Sequence, residues 1–115
     1  MVQIEKGGRM NEVLYELCWY YINTNDCSNA PVSSRSVSFR LNLTVSQTRY
    51  RLRKLKKLGY VETPSGFVIS EFCSLPYHGW TITDKAKETE EYRKAWEEER
   101  TLCKEYFDMD IGEPK

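Results

Sequence analysis

The apolar positions of this chain change their period along its length, and the changes mark out its elements. From about residue 9 to 23, Val13, Leu14, Leu17, Cys18 and Tyr21 recur in steps of three and four, the spacing that aligns side chains on one face of an α-helix. The end of that helix carries Trp19, Tyr20 and Tyr21, an aromatic group large enough to cover a core. Residues 23–31 are dominated by Asn, Thr, Asp, Ser and Pro, whose short side chains bond the local backbone and whose rings break it, so a loop is expected there.

After Pro31, Ser33 or Ser34 can cap a short helix running to Leu41, with Val37 and Leu41 four apart on its inner face and Ser38 small enough for a second helix to approach. Asn42 then interrupts the helix; among non-glycine residues asparagine best tolerates the left-handed backbone that a tight turn between crossed helices requires. Thr44 and Gln47 stand in capping-box register at the start of the next helix. That helix is expected to reach about Leu58, with Thr48, Leu52, Leu55 and Leu58 facing inward and Gly59 as its stop. Its outward positions in the N-terminal half are then Val45, Ser46, Gln47, Arg49, Tyr50 and Arg53.

Beyond Gly59 the period shortens to that of strands. Residues 60–63 and 67–70 read as two strands around a Pro64-Ser65-Gly66 turn, followed by a second loop over 74–79. Residues 84–109 read as one long helix capped by Thr83 or Asp84, with Ala86, Tyr92, Ala95, Trp96, Leu102, Cys103, Tyr106 and Met109 along one face. Such a helix is roughly 37 Å long, more than a small domain can cover alone. Part of it is expected to pack on the first helix or on its counterpart in a second chain; this favours a homodimer whose interface is built on Tyr92, Trp96, Leu102, Cys103 and Tyr106, with a monomer whose C-terminal helix folds back as the alternative.

Composition narrows the reading. The chain has 115 residues, enough for one folded domain, and no apolar run of the roughly 18 residues that would cross a bilayer. The N-terminus lacks the apolar middle of a signal peptide, so a cytoplasmic protein with no membrane association is expected. Cys18, Cys27, Cys73 and Cys103 form no C-x-x-C pair and read as free packing thiols, giving no metal site and no cofactor. His78 has no neighbouring nucleophile, and neither a phosphate-binding glycine loop nor a nucleophile elbow occurs, so no enzyme is expected.

Charge is the more informative quantity. Seventeen basic and seventeen acidic side chains cancel, which argues against binding nucleic acid by bulk charge. They are unevenly placed, however. Between Cys27 and Val61 stand Arg35, Arg40, Arg49, Arg51, Arg53, Lys54, Lys56 and Lys57 with no acidic residue, whereas residues 84–115 carry eleven acids and seven bases. From Gly59 to Thr83 there is no Lys or Arg, so the strand region offers no cation to a phosphate.

The stretch from Ser33 to Val61, and above all its ending Leu-Lys-Lys-Leu-Gly-Tyr-Val, resembles the helix-turn-helix of winged-helix regulators such as the MarR and PadR groups; the segment from Trp80 to Lys87 resembles their closing wing strand and helix start. The resemblance covers roughly residues 30–87. It implies an α+β, mainly helical winged helix-turn-helix, with a three-helix core, a β-wing and a long C-terminal helix. The domain expectation is a flexible extension over 1–9 (Met10 being an alternative start), the winged domain over 10–83, a dimerisation helix over 84–109 and a flexible tail over 110–115.

The corresponding function is a transcriptional regulator, a repressor by preference, that reads double-stranded DNA in the major groove with the helix over 44–58. The candidate DNA-binding residues are Ser34, Arg35, Thr44, Ser46, Gln47, Arg49, Tyr50, Arg53 and Lys54. Gln47 has the amide geometry for adenine, Arg49 and Arg53 suit guanine or phosphate, and Ser46 and Tyr50 suit phosphate or sugar. Small size and the lack of an effector domain suit a phage or mobile-element regulator; a small-molecule effector is open. A second reading stands beside this one. The aromatic wing without Lys or Arg, with Phe67, Phe72, Leu75, Tyr77 and Trp80, suits a protein-interaction or replication-assembly module that reads no DNA sequence.

Overall fold

The computed structural model describes residues 9–24, 32–63, 68–69, 76–77 and 79–114. The expectations that fall on Cys27, the 64–66 turn, Phe67, Phe72, Cys73, Leu75 and His78 lie outside those residues. Among these residues are four helices, α1 (Met10–Thr24), α2 (Ser34–Leu41), α3 (Val45–Lys57) and α4 (Glu90–Phe107), and five short strands, β1 (Val32–Ser33), β2 (Val61–Glu62), β3 (Val68–Ile69), β4 (Pro76–Tyr77) and β5 (Gly79–Ile82). This is the winged helix-turn-helix architecture that the resemblance implies.

The core forms where the inner faces of α1, α3 and α4 meet the sheet. Val13, Leu14, Leu17 and Cys18 of α1, Val37 of α2, Leu52 and Leu55 of α3, Val61 and Ile82 of the strands, and Tyr92 and Ala95 of α4 are all buried. Removing these side chains from water is the main favourable term in the fold, at about 1.5–3 kcal/mol for each large one. Burial, and then the charge of Glu91, push the Cys18 thiol well above its ordinary value, so this cysteine packs as a small apolar group.

Local chemistry sets the boundaries of α2 and α3. Ser33 caps α2, its Oγ accepting from the Ser36 amide at 3.2 Å. Asn42 takes the left-handed conformation, φ 55°, and the amides of Asn42 and Leu43 donate to the Phe39 and Ser38 carbonyls, closing a Schellman turn between the two helices. Gly59, at φ 89°, ends α3 in the same way, with the Gly59 and Tyr60 amides donating to Lys56 and Leu55. Leu58 departs from expectation. As the last residue before this turn it rotates off the inner stripe and is 42% exposed.

The strands also differ from expectation. β2 and β3, expected as neighbours across a turn, do not pair with each other. β2 pairs with β5 in antiparallel register, Val61 opposite Ile82 and Glu62 opposite Thr81, and β5 pairs on its other edge with β1, giving the sheet order β1-β5-β2. β3 instead pairs with β4, Val68 opposite Tyr77, so part of the segment expected as a loop over 74–79 is strand. A partner close by in sequence competes here with one about twenty residues away that joins a buried sheet, and burial of Val61 and Ile82 decides it. Trp80 is half-buried against the core.

The C-terminal segment is two elements, not one helix. A 3-10 turn, Asp84–Glu88, precedes α4, and Thr89 between them is extended, at φ −89° and ψ 160°. Its hydroxyl donates to the Ala86 carbonyl at 2.6 Å and accepts from the Tyr92 amide at 3.3 Å, so one buried side chain ends the turn and caps α4. α4 then packs chiefly along α1. Tyr92 and Trp96 are consequently spent on the chain's own core rather than left for a second copy, whereas Leu102, Tyr106, Phe107 and Met109 are exposed.

Neither end of the described chain is loose. Arg9 pairs with Glu12 and donates through Nη2 to the Leu41 carbonyl at 2.8 Å, tying the start of α1 to the end of α2. Residues 110–113, expected as a free tail, fold back on α4. The Arg100 guanidinium grips Asp110 through Nε (2.8 Å) and Nη2 (3.2 Å) and Glu113 through Nη1 (3.1 Å), while the Trp96 indole donates to the Gly112 carbonyl at 2.8 Å. No helix of the described residues is long and apolar enough to cross a membrane.

Arg100, and then the Gly112 amide, hold the Asp110 carboxyl below its ordinary value. A carboxylate with a depressed native pKa contributes its stabilisation above the unfolded value and loses it as pH falls through the native one. The tail is therefore expected to stay clasped at pH 7 and to release as pH drops below about 3.8, the ordinary value for this group. The indole N–H resonance of Trp96 reports this. It should move on acidification in the native chain and sit at the released position already at pH 7 in Asp110→Asn; a resonance indifferent to both would show that the clasp contributes nothing.

Candidate nucleic-acid interface

The rotation of α3 is set by Thr48, Leu52 and Leu55, which are buried completely; the Thr48 hydroxyl is satisfied internally, donating to the Thr44 carbonyl at 3.0 Å. With that stripe inward, Ser46, Gln47, Arg49, Tyr50, Arg53 and Lys54 are all exposed on the opposite side. α3 carries six basic residues and no acidic one. The face it offers to solvent is cationic in both its N-terminal half and its last turn.

Among the candidate residues, the structure assigns some to folding and leaves others free. Thr44 and Gln47 complete the capping box: the Gln47 amide donates to Thr44 Oγ1 at 3.0 Å and the Thr44 amide donates to Gln47 Oε1 at 3.0 Å. Holding that amide occupies the carbonyl half of the pair that adenine recognition uses, and leaves Gln47 its Nε2 donors. Arg51 turns back along its own helix, with Nη1 donating to the Gln47 carbonyl at 3.0 Å. Lys54 lies over the Tyr50 ring at 5.2 Å, an arrangement that stiffens both side chains on the surface. Arg53 is exposed and pairs with no side chain among the described residues.

Ser34 stands apart from the other candidates. It is buried at the start of α2, and its Oγ accepts from Nε of Arg49 at 3.3 Å, a bond across fifteen residues of sequence. Arg35, one residue further, is exposed. The two helices of the motif thus meet at a serine that faces an arginine, a contact that no periodicity in the sequence announces. Phe39, on the outer side of α2, is 87% exposed and was not marked by the sequence either.

The wing is anchored to the end of α3. The Thr83 hydroxyl donates to the Gly59 carbonyl at 2.6 Å, the Thr83 amide to the Tyr60 carbonyl at 3.0 Å, and Lys85 Nζ to the Leu58 carbonyl at 2.7 Å while lying over the Tyr60 ring. These bonds satisfy carbonyls of the turn that follows α3 and fix where β5 leaves the motif. On the far side, Arg40 of α2 pairs with the largely buried Glu16 of α1 at 3.2 Å and stacks over Trp19. Among the described residues no group of three or more His, Cys, Asp or Glu is placed to hold a metal ion.

With this geometry in view, the comparisons are informative about fold. No protein-family model matches the chain, and no curated sequence matches it. Solved structures of MarR-family winged-helix transcriptional regulators do. They include Streptococcus pneumoniae FabT in complex with DNA, at 20% identity and a TM-score of 0.50 over 90% of this chain and 62% of that one. A point mutant of Lactococcus lactis ZitR is similar at 12% identity and a TM-score of 0.51, over 94% of this chain and 67% of that one. S. aureus MepR bound to ethidium bromide matches at 16% identity and a TM-score of 0.53, over 91% and 68%. The chain has the winged-helix fold of these regulators and spans 62% to 68% of their length.

Losing the Thr44 hydroxyl removes one half of the capping box that starts α3. Thr44→Ala is expected to lower stability by about 1 kcal/mol, measured as a lower urea midpoint at unchanged slope. An unchanged midpoint would mean that packing of Leu52 and Leu55 alone fixes the helix start.

Proposed function

We propose that this protein is a sequence-specific duplex DNA-binding regulator of transcription, acting as an occluding repressor, with α3 in the major groove. The single observation that carries the reading is the opposed faces of α3: a fully buried stripe of Thr48, Leu52 and Leu55 behind an exposed row of Ser46, Arg49, Tyr50, Arg53 and Lys54. Backbone and charge contacts from Tyr50, Arg53 and Lys54 hold the duplex, and the residues of the first two turns meet base edges. A structural neighbour, FabT, was solved in complex with DNA, which supports the same use of the fold here.

The protein acts as a homodimer in this reading. Leu102, Tyr106 and Phe107 at the end of α4, with Met109 just beyond it, form an exposed apolar group with Cys103 at its margin, and a second copy would cover it. Two α3 helices related by a two-fold axis then suit half-sites about one helical turn apart, roughly 34 Å. Arg35 adds a phosphate contact from α2. The cell compartment is the cytoplasm, where the DNA of such regulators lies.

Fluorescence anisotropy on pooled random duplexes tests the reading. Affinity is expected to fall at least about tenfold between roughly 50 and 200 mM salt, because each neutralised phosphate releases counterions. The Arg49→Ala, Arg53→Ala double variant is expected to bind at least about tenfold more weakly at low salt. Binding that ignores both salt and the two substitutions would transfer the function to the protein-interaction reading.

A further inference from the structure

Arg49 is one of several cations on α3, and its side chain is held from behind by a residue of α2. Its Nε donates to Oγ of Ser34 at 3.3 Å, and Ser34 is 6% exposed, seated in the first turn of α2 where the two helices cross. A guanidinium meets a pair of acceptors either side-on, through Nε and one terminal nitrogen, or end-on, through both terminal nitrogens. Ser34 occupies Nε and so closes the side-on mode. What remains is the end-on fork, pointing away from the helix crossing.

We infer that Ser34 is a positioning residue that makes Arg49 the guanine reader of this protein, by presenting the two terminal nitrogens of its guanidinium to O6 and N7 of a guanine in the major groove. The inference rests on the DNA-binding reading above and assigns within it which cation specifies sequence and which only attract. O6 and N7 are two coplanar acceptors on one base edge, the arrangement that matches an end-on fork. Arg49 lies in the second turn of α3, within the part of a recognition helix that reaches base edges. Arg53 and Lys54 lack any such support: Arg53 has no side-chain partner among the described residues, and Lys54 rests on Tyr50. Both are left to the phosphates, which accept a cation from many directions.

The test is selection of preferred duplexes by the full chain from a random pool, followed by affinity measurements on the selected site and on versions with one guanine replaced. One G·C position is expected at which replacement weakens the native chain about tenfold or more. Arg49→Lys should erase that preference while keeping the salt dependence on random duplex, because the charge stays and the fork is lost. Ser34→Ala should reduce the preference severalfold, and Ser34→Thr, which keeps the hydroxyl, should restore it. If Ser34→Ala does not fold, judged by circular dichroism, the Arg49→Lys and Ser34→Thr results decide alone. A full guanine preference in Arg49→Lys, or in a folded Ser34→Ala, overturns the assignment while leaving DNA binding intact. A native chain that binds duplex only with no sequence preference also overturns it, and one that binds no duplex at all overturns the DNA-binding reading beneath it.

Discussion

Everything distinctive about this molecule depends on one packing constraint, the complete burial of Thr48, Leu52 and Leu55 as α3 packs on α2, α1 and β2. Successive residues of an α-helix turn by about 100°, so burying three positions completely leaves α3 a single rotation. That rotation puts every exposed cation of its first three turns on the outer side. Truncating a residue such as Leu52 would cost about 2–5 kcal/mol and, more to the point, would loosen the angle at which Arg49, Tyr50 and Arg53 are displayed. The site has an orientation to maintain, and the core maintains it.

Around that helix the fold concentrates its directional bonds at ends and crossings. The capping box starts α3, the Gly59 turn stops it, and the Thr83 and Lys85 bonds to the carbonyls of Gly59 and Leu58 join its last turn to the wing. Apolar burial supplies most of the free energy, while these bonds, each worth about 1 kcal/mol net, decide where the elements begin and how they meet. The ion pair of Arg40 with Glu16 plays the same part between α2 and α1. A motif that must present one helix rigidly to a partner gains from having both of its termini fixed.

How much of this was legible beforehand follows from the range of each interaction. Asn42, the Thr44–Gln47 box and Gly59 act on their own turns, and their side-chain chemistry states their role without reference to the rest of the chain. The same locality failed at Thr89. Its hydroxyl breaks the expected long helix in two, yet in sequence it reads as an ordinary polar residue on a helix surface. Strand partners were not legible because β2 chooses β5 over a nearer segment on the strength of a sheet that exists only once folded. Tyr92 and Trp96 were legible as apolar-face residues, but not whether the first helix or a second copy covers them, since a stripe declares that it will be covered but not by what. Ser34 belongs with these: its contact with Arg49 arises from the crossing of two helices.

The central claim is that the outer face of α3, oriented by its buried stripe, is the surface that meets DNA. Amide chemical-shift mapping of the labelled full chain on titration with duplex tests it most directly. The account predicts the largest changes along residues 44–54 and at Ser34 and Arg35, with α4 little affected. Changes centred on the exposed end of α4, on Phe39, or on the strands, with α3 silent, would contradict it.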